Sequence, residues 1–562
     1  MMDGFLFSPG LWLILGGLIF AVSKPGLRLP VIVVAPLLAL FGIWTMPADA
    51  VWSLQFLGYE IQPVKSTTVG QLFATVFSIM ALAGGIFAMR IASTLELSAA
   101  FIYAGSAVCV TFAGDLMTLF IFWELMALGS TMVLWAAGTE GAHKASMRYL
   151  ILHLFGGMLL LVGITGHVLD TGSILFEPMQ ADSFAHWLIL AGFLLNAGAP
   201  PFSAWIGDAY PEASPSGTVF LSAFTTKTAV FVLIMGFPGT WVLIPIGIYM
   251  IFYGIIYALL ENDMRRILAY SIVNQVGFMV TGVGIGTEMA LNGAAAHAFA
   301  HIIYKGLLLM SAGAVLYRTG NRKCTNLGGL FQTMPWTTLL GTIGALAISA
   351  FPFTSGFTTK SMIAQAAADQ HLMYVWFALA AASAGVFLHA GIKFPWFVFF
   401  QKDSGLRPPE APTNMLIAMW LFAGLCIGLG VWAEPLYAML PHPVEYVAYT
   451  AAHLVSQFQL LLFAGLAFFV MLPMMKRTLT ITLDFDYFYR KFFKTVGAEF
   501  DNHHERNKQP VTQYIEQKWQ ALLAGAFRHH GPHGALARSW PTGSMVIWVA
   551  LLLGLSLVLY YL

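Results

Sequence analysis

Six ionisable side chains lie inside segments that are otherwise apolar enough to cross a membrane. A charge at the bilayer centre costs ~2.5–3.5 kcal/mol on insertion scales, so such groups usually face a protein interior or a watery cavity. The six residues are Glu124, Lys227, His297, His301, Lys305 and Lys360. Several such groups in one chain indicate a path for protons or ions.

Three of these residues follow one another at intervals of four in AAAHAFAHIIYKGLLLM. On a helix, His297, His301 and Lys305 therefore share one face. Histidine exchanges protons near neutral pH, and a partly desolvated lysine releases its proton more readily than one in water. The spacing predicts a proton relay on a single transmembrane helix.

The other three ionisable residues stand on separate segments. Glu124 lies eight residues into its span with no acidic neighbour, so burial would keep it protonated unless Lys227 or Lys305 paired with it. Lys360 follows SGFTT directly, where an unwound backbone could solvate its ammonium group. We interpret all three as part of the same translocation path.

Several further residues are weaker candidates. His153, His389 and Lys393 also sit in apolar runs, and Lys393 lies near a span end, where a lysine usually reaches toward the interface. The motif RHHGPHG (528–534), with His529, His530 and His533, is interpreted as a solvated loop, and no metal site is predicted. Three cysteines have neither metal-ligand nor paired spacing: they are Cys109, Cys324 and Cys426.

The composition requires a membrane protein. Hydrophobic residues make up 58% of the 562-residue chain and charged residues 9%, whereas soluble domains carry about 25% charged residues. The formal net charge of +1 and the absence of a basic tract give no sign of a nucleic-acid partner. The stretch 5–22 continues into Ser23, Lys24 and Pro25, which favours a retained span over a cleaved signal peptide.

Sixteen segments are long and apolar enough to be spans of about 20 residues. The short connections after odd-numbered spans hold twelve Lys and Arg residues, and the short connections after even-numbered spans hold only Lys65. By the positive-inside rule, the odd connections are cytoplasmic and the N-terminus lies outside. Asp263, Arg265 and Arg266 in one such connection are expected to be orientation and lipid-interface charges. The segments are 5–22, 29–46, 70–89, 96–114, 116–137, 147–169, 184–206, 217–236, 241–260, 267–286, 290–316, 336–366, 372–400, 413–433, 456–475 and 543–562.

Two spans contain helix-breaking residues. Pro200 and Pro201 interrupt the run 194–205, and Pro352 with Gly356 interrupts the run 347–357. Proline removes a backbone donor and clashes with the preceding turn. The breaks occupy corresponding places in two five-span sets, taken as spans 5–9 and 10–14 or as spans 4–8 and 9–13. Paired broken helices indicate a transport site.

The chain changes character after residue 475. Residues 476–542 hold ten Lys or Arg and six Asp or Glu, with aromatic residues interleaved in LDFDYFYRKFFKTVGAEF. This composition predicts an amphipathic segment along the cytoplasmic interface, or a strap against neighbouring subunits. A final span at 543–562 follows it.

Four ordered motifs carry a resemblance over roughly residues 70–430. They are APPFSAWIGDAYPEASPSGTVFLSAFTTKTAVFVL, RRILAYSIVNQVGFM, AHAFAHIIYKGLLLMSAGAVL and FPFTSGFTTKSMI. The chain resembles the antiporter-like subunits shared by Mrp-type cation/proton antiporters, where it is most similar to the D-type, and the proton-pumping arm of respiratory complex I. The resemblance implies two inverted five-helix repeats, each with a broken helix, and a hydrated chain of Lys, His and Glu along the membrane midplane.

With the composition, the resemblance predicts an all-α polytopic membrane protein of about 14–16 transmembrane helices. One departure concerns Asn196, which stands where the family usually has a lysine before the first break. Asparagine cannot titrate, so we expect Lys227 to pair with Glu124 instead. The expected divisions are N-terminal helices (1–95), a first repeat (96–260, break near 196–205), a second repeat (261–400, break near 349–357), peripheral helices (401–475), the amphipathic segment (476–542) and the final span (543–562).

The function expected first is ion translocation within a multisubunit Na⁺(K⁺)/H⁺ antiporter in a bacterial-type inner membrane. The alternatives are a proton-pumping subunit of a complex I-like or other redox-driven complex, and a partner in inorganic-carbon uptake. A non-transporting scaffold is disfavoured by the buried charges. No cofactor, nucleotide loop or catalytic site is expected in this chain, so enzyme activity would belong to a complex I-like assembly as a whole.

Overall fold

A computed structural model describes residues 7–22, 26, 28–56, 58–473, 487–492, 495–499, 516–526, 528 and 542–561. The chain divides into two compact units, Met1–Asp486 and Tyr487–Leu562. All the ionisable residues singled out above lie in the first unit. The predicted amphipathic segment at 476–542 and the motif at 528–534 fall largely outside the described residues.

The first unit is an assembly of membrane-spanning helices. In the described part of the chain, thirteen helices are long and apolar enough to cross a membrane, and three shorter apolar helices accompany them. Together they account for the sixteen predicted segments and confirm the all-α polytopic fold. The helices are α1 Gly10–Val22, α2 Arg28–Thr45, α3 Thr68–Ala88, α4 Thr94–Thr111, α5 Leu116–Trp135, α6 Glu140–Thr171, α7 Phe184–Ala197, α8 Ala204–Ala209, α9 Gly217–Leu221, α10 Thr225–Gly236, α11 Leu243–Leu260, α12 Met264–Ile285, α13 Glu288–Thr319, α14 Pro335–Ile348, α15 Ser355–Asp369, α16 Met373–Val386, α17 Thr413–Val431, α18 Glu434–Tyr437, α19 Ala451–Met471 and, in the second unit, α20 Thr542–Tyr561.

A β-hairpin that the sequence analysis missed connects α2 to α3. Its strands are β1 Val51–Phe56 and β2 Tyr59–Lys65, paired antiparallel. The Gln62 N–H donates to the Asp115 carboxylate at 2.9 Å, and Asp115 pairs with Leu175 in the α6–α7 connection. The hairpin and these connections therefore share one side of the molecule, called here the hairpin face.

The opposite side, called the arginine face, is tied together by buried charges. Arg265 is 2% exposed and donates to the carbonyls of Pro211 and Ser214 at 3.0 and 2.8 Å. Arg322 contacts the Asp263 carboxylate at 2.9 Å. The expectation that Asp263 and Arg265 are lipid-interface charges is therefore wrong, because both are buried against neighbouring connections. Burial raises the pKa of Asp263, an effect that Arg322 opposes.

Helix lengths fix the phase of the two repeats. The helices α4, α5, α6 and α7 have 18, 20, 32 and 14 residues, and α11, α12, α13 and α14 have 18, 22, 32 and 14. This match favours spans 4–8 and 9–13 as the two sets, with each break in the fourth helix. It also favours a repeat boundary between α10 and α11, earlier than residue 260; the other division limits stay predictions.

Both predicted breaks are present. The first lies between α7 and α8 at residues 198–203, and the second lies between α14 and α15 at residues 349–354. Gly356 is not part of the second break, since it lies in the first turn of α15. A Cβ there would collide with the Ala347 carbonyl oxygen, so this glycine permits a close approach of α15 to α14.

A third interruption separates α9 from α10 at residues 222–224, without proline or glycine. The span that begins with α16 continues as π-helix at Phe387–Lys393 and Trp396–Phe400. π-Helical turns are rare and often occur at functional sites. Both irregularities lie beside lysines that the sequence analysis singled out.

Candidate functional site

The centre of the site is the face of α13 that carries His297, His301 and Lys305. All three side chains are fully buried, so the structure brings this triplet together as the spacing predicted. The Lys305 ammonium donates to the Ser271 hydroxyl at 2.8 Å and to the Leu268 carbonyl at 3.4 Å, both on α12. Helix α12 therefore supplies neutral oxygens, and no carboxylate, to this lysine.

A glutamine on α12 organises the histidine end of the triplet. His297 Nε2 donates to the Gln275 side-chain oxygen at 3.1 Å, and the Tyr304 hydroxyl donates to the same oxygen at 3.1 Å. Sequence reasoning missed Ser271, Gln275 and Tyr304, although RRILAYSIVNQVGFM contains the first two. A Ser and a Gln four residues apart in an apolar span were the available signal.

Lys227 reaches this centre from α10. Its ammonium donates to the Ser222 carbonyl at 2.6 Å and to the Thr226 hydroxyl at 3.0 Å. The α9–α10 interruption leaves the Ser222 carbonyl free for this bond. Lys227 lies within electrostatic reach of Lys305 and His301, so two buried ammonium groups share one region.

Lys360 lies in the second turn of α15 and is 3% exposed. Its nitrogen lies 4.4 Å from the centroid of the Phe278 ring of α12. No hydrogen-bond partner for this nitrogen exists among the described residues. The aromatic face gives the ammonium a weak electrostatic partner, and His297 is within electrostatic reach of it.

Glu124 lies apart from these lysines. A Cβ built on Gly157 of α6 would collide with a Glu124 carboxylate oxygen, so the carboxylate occupies the space that the glycine leaves. That oxygen is buried and has no hydrogen-bond partner in the described part of the chain. No ion pair joins it to Lys227 there, because the ammonium of that lysine is directed at Ser222. The expected Glu124–Lys227 pair is therefore not formed.

The three second-rank residues are buried as well. Lys393 is 4% exposed and donates to three carbonyls at the end of α11, those of Ala258, Leu259 and Glu261, at 3.0, 2.6 and 2.6 Å. Its ammonium is therefore held at the end of α11 that adjoins Asp263 on the arginine face. His153 and His389 are buried, and each engages through Nδ1 the carbonyl four residues earlier.

Asn196 lies near the end of α7, just before the first break. It is 1% exposed, and neither atom of its side-chain amide has a hydrogen-bond partner among the described residues. Buried polar groups of this kind are normally satisfied by ordered water. The position before the first break therefore remains polar without being able to titrate.

The arrangement suits proton transfer. In the described part of the chain, Lys227, Lys305 and Lys360 form no ion pair with a carboxylate. A buried, unpaired ammonium is costly and becomes neutral once it passes on its proton. No group of three metal-ligating side chains occurs among the residues that the structure describes.

Comparison with known proteins places the site in a defined module. Residues 113–387 match the family described as NADH:quinone oxidoreductase/Mrp antiporter, TM. The chain is 28% identical over 347 residues to the D-type component of the Na⁺/H⁺ antiporter of Alkalihalophilus pseudofirmus, covering 58% of this chain and 70% of that protein. The module contains every translocation residue predicted above.

Two solved structures share the fold. One is a chain of the Mrp complex from Dietzia sp., with 20% identity and a TM-score of 0.71 over 82% of this chain and 98% of the other. The second is a chain of the membrane-bound sulfane sulfur reductase (MBS), an archaeal respiratory membrane complex, with 22% identity and a TM-score of 0.72 over 99% of both chains. At these identities the likeness concerns the fold.

Proposed function

We propose that this chain, whose residues 113–387 match the membrane module of NADH:quinone oxidoreductases and Mrp antiporters, is an ion-translocating subunit of a multisubunit cation/proton antiporter. In this proposal, protons pass between Lys360, the His297–Lys305 face of α13 and Lys227, in exchange for Na⁺ or K⁺. The name of the Na⁺/H⁺ antiporter relative supports the same assignment.

One observation carries the proposal: Lys227, Lys305 and Lys360 are at most 3% exposed, and their described partners are neutral oxygens or an aromatic ring. Other charges of this chain have fuller partners, since Arg148 pairs with the Asp208 carboxylate at 2.7 Å and Lys393 bonds three carbonyls. Groups without such partners can change protonation state without breaking an ion pair. This property favours a relay over a scaffold.

The proposal includes partners and orientation. Other membrane subunits would flank the chain in a cell membrane of the bacterial type. The arginine face carries the connections rich in Lys and Arg, so we place it in the cytoplasm and place the N-terminus outside.

Replacing Lys305 tests the proposal. Lys305→Ala should lower pH-driven cation exchange in vesicles holding the intact complex by ~10²–10⁴-fold, the usual contribution of a positioned proton-transfer group. Quenching of a pH-sensitive dye on cation addition measures the exchange, and native gels measure assembly. Lys144→Ala, which removes a charge 65% exposed on the surface, is the matched control. Wild-type exchange by assembled Lys305→Ala complex would overturn the relay.

A second candidate is the equivalent subunit of a redox-driven pump. The observation that favours it is the match to the MBS chain, which covers 99% of this chain against 82% for the Mrp chain. Mass spectrometry of the purified complex separates the two candidates. Small membrane subunits alone would support the antiporter, whereas copurified iron–sulfur subunits would support the redox-driven pump.

A further inference from the structure

The interruption between α9 and α10 supplies an acceptor for the Lys227 ammonium, which donates to the Ser222 carbonyl at 2.6 Å. In a continuous α-helix that carbonyl would accept from the N–H of the residue four positions later. The interruption at residues 222–224 contains no proline or glycine. Contacts from neighbouring helices are therefore needed to maintain it.

A buried glutamate of α4 holds the residues that lead into α9. Glu96 lies in the first turn of α4 and is 2% exposed. The Ser214 hydroxyl donates to its carboxylate at 2.8 Å, and the Ser216 hydroxyl donates to the same oxygen. Ser214 in turn accepts from the N–H of Gly217, the first residue of α9, at 2.8 Å. The Glu96 carboxylate thus fixes the start of α9.

A tyrosine of the same helix holds the start of α10. The Tyr103 hydroxyl accepts from the Thr225 N–H at 2.9 Å, and the Tyr103 ring packs edge-on against Phe224 with ring centroids 4.9 Å apart. The first N–H groups of a helix have no acceptor within that helix, so the hydroxyl acts as a cap supplied by α4. Glu96 and Tyr103 are seven residues apart and therefore lie on one face of α4.

The second repeat holds the same segment from its other side. Arg265 of α12 donates to the Ser214 carbonyl at 2.8 Å. A Cβ on Gly313 of α13 would lie 2.7 Å from the Pro215 carbonyl oxygen, so this glycine permits the segment to pack directly against α13. The residues before α9 are therefore fixed between α4 and the second repeat.

We propose that Glu96 and Tyr103 form a two-point clamp, called here the α4 clamp, that keeps the Ser222 carbonyl directed at the Lys227 ammonium. Both clamp residues act through Ser222, so they are positioning residues. Both also precede residue 113 and lie outside the matched module. The importance of the clamp for transport rests on the proposed function, whereas its effect on α9 and α10 does not.

The clamp should influence the pH dependence of cation exchange. A carbonyl that accepts from an ammonium favours the charged form over the neutral amine. If the Ser222 carbonyl turns away, the pH of half-maximal cation exchange should therefore fall, by about one unit for the loss of one such bond. The other titratable groups within electrostatic reach of Lys227 are Lys305, His301 and His297 of α13, and clamp variants leave them unchanged.

Amide hydrogen exchange tests the clamp without requiring transport. Tyr103→Phe removes only the hydroxyl, and Glu96→Met removes the acceptor of the two serines. In intact complex, amides of residues 217–228 should exchange about fivefold faster in each variant, because each loses a buried hydrogen bond that opposes local opening. Ser106→Ala is the matched control, since this buried hydroxyl of α4 donates to the Ile102 carbonyl of its own helix at 2.8 Å. Unchanged amide exchange in either assembled variant would overturn the clamp.

The pH profile of cation exchange in vesicles tests the connection to Lys227. Tyr103→Phe and Glu96→Met should each lower the pH of half-maximal cation exchange by about one unit. Glu96→Gln should keep the wild-type profile, because its amide oxygen can accept from both serine hydroxyls. A lower maximal rate at an unchanged half-maximal pH would show that the clamp only stabilises the fold, and would overturn the positioning role.

The clamp and the proposed function can fail separately. Faster amide exchange at residues 217–228 together with wild-type cation exchange by Lys305→Ala would retain the clamp and reject the relay. Loss of cation exchange in Lys305→Ala together with an unshifted pH profile in Tyr103→Phe would retain the relay and reject the positioning role of the clamp.

Discussion

Helices α5 and α6 of the first repeat carry the same capping residues as α12 and α13 of the second repeat. The numbers of equivalent capping residues differ by 148, as 263 differs from 115. Asp115 caps α5 as Asp263 caps α12, and Thr139 caps α6 as Thr287 caps α13. Helices α6 and α13 end at Gly172 and Gly320, and both glycines have the left-handed conformation. Equivalent helices are five spans apart and run in opposite directions. The Asp115 cap accordingly lies at the hairpin face and the Asp263 cap at the arginine face.

The same offset of 148 residue numbers identifies equivalent residues in the two sites. His153 corresponds to His301, and Gly157 corresponds to Lys305. The first repeat therefore keeps one histidine and lacks the central lysine. The space of the missing lysine side chain is filled instead by the Glu124 carboxylate, which packs where a side chain on Gly157 would lie.

The surroundings of the two sites differ as well. Buried residues make up 100% and 94% of the spanning windows of α12 and α13, against 56% and 39% for α5 and α6. The second repeat thus holds His297, His301 and Lys305 inside the chain. The first repeat holds Lys227 inside the chain as well, but its Glu124 carboxylate lies near an outward surface. An inverted duplication has conserved the scaffold while the two copies place their charges in different environments.

The largest effect should come from a variant of the second repeat that keeps a positive charge at Lys360 but does not release its proton. Lys360→Arg should lower proton-coupled exchange by at least ~100-fold, because a guanidinium does not release its proton usefully. Lys393→Arg is the matched control, since Lys393 donates to carbonyls that a guanidinium can also reach, and it should stay within about threefold of wild type. Dye quenching in vesicles measures both variants. Full activity of Lys360→Arg would show that the second repeat needs only a fixed charge.

A smaller effect should follow from adding one methyl group in the first repeat. Gly157→Ala should destabilise the complex by about 1–3 kcal/mol, because its Cβ collides with the Glu124 carboxylate. Gly156→Ala is the control, since its Cβ would meet only the flexible Leu195 side chain at 3.1 Å. Thermal unfolding in detergent measures both, and Glu124→Ala should rescue Gly157→Ala. Equal behaviour of the two alanine variants would mean that Glu124 does not occupy this space.

Much of this comparison was predictable from sequence. Pro200 and Pro352 marked the breaks because proline removes a backbone donor within an apolar run. The spacing of His297, His301 and Lys305 set their common face because helical periodicity is local. The sixteen segments followed from hydropathy, and they agree with the helices of the structure.

The partners of the charges were not predictable. The interruption beside Lys227 has no proline or glycine, so nothing local announced the free Ser222 carbonyl. Lys393 and Arg265 bond carbonyls 132 to 135 and 51 to 54 residues away, contacts that arise only from packing. The expected Glu124–Lys227 pair failed for the same reason, because opposite charge does not establish that two helices face each other.

The smallest effect concerns that pair, and its measurement decides whether Glu124 is coupled to the lysine relay. Glu124→Gln and Lys227→Met should each impair exchange, since each changes a buried group. Their coupling free energy should nevertheless stay within about 0.5 kcal/mol of zero, because groups without shared partners act additively. Lys227 bonds Ser222 and Thr226, and the buried Glu124 oxygen packs against Gly157.

A double-mutant cycle on exchange rates in vesicles with equal amounts of assembled complex measures the coupling. Lys227→Met combined with Lys305→Ala is the positive control, since these two ammonium groups lie within electrostatic reach and neighbouring charges couple by ~0.5–3 kcal/mol. Coupling of that size between Glu124 and Lys227 would mean that Glu124 exchanges charge directly with the lysine relay during transport. Additivity would instead leave Glu124 free to respond to whatever covers the outward surface of α5 and α6.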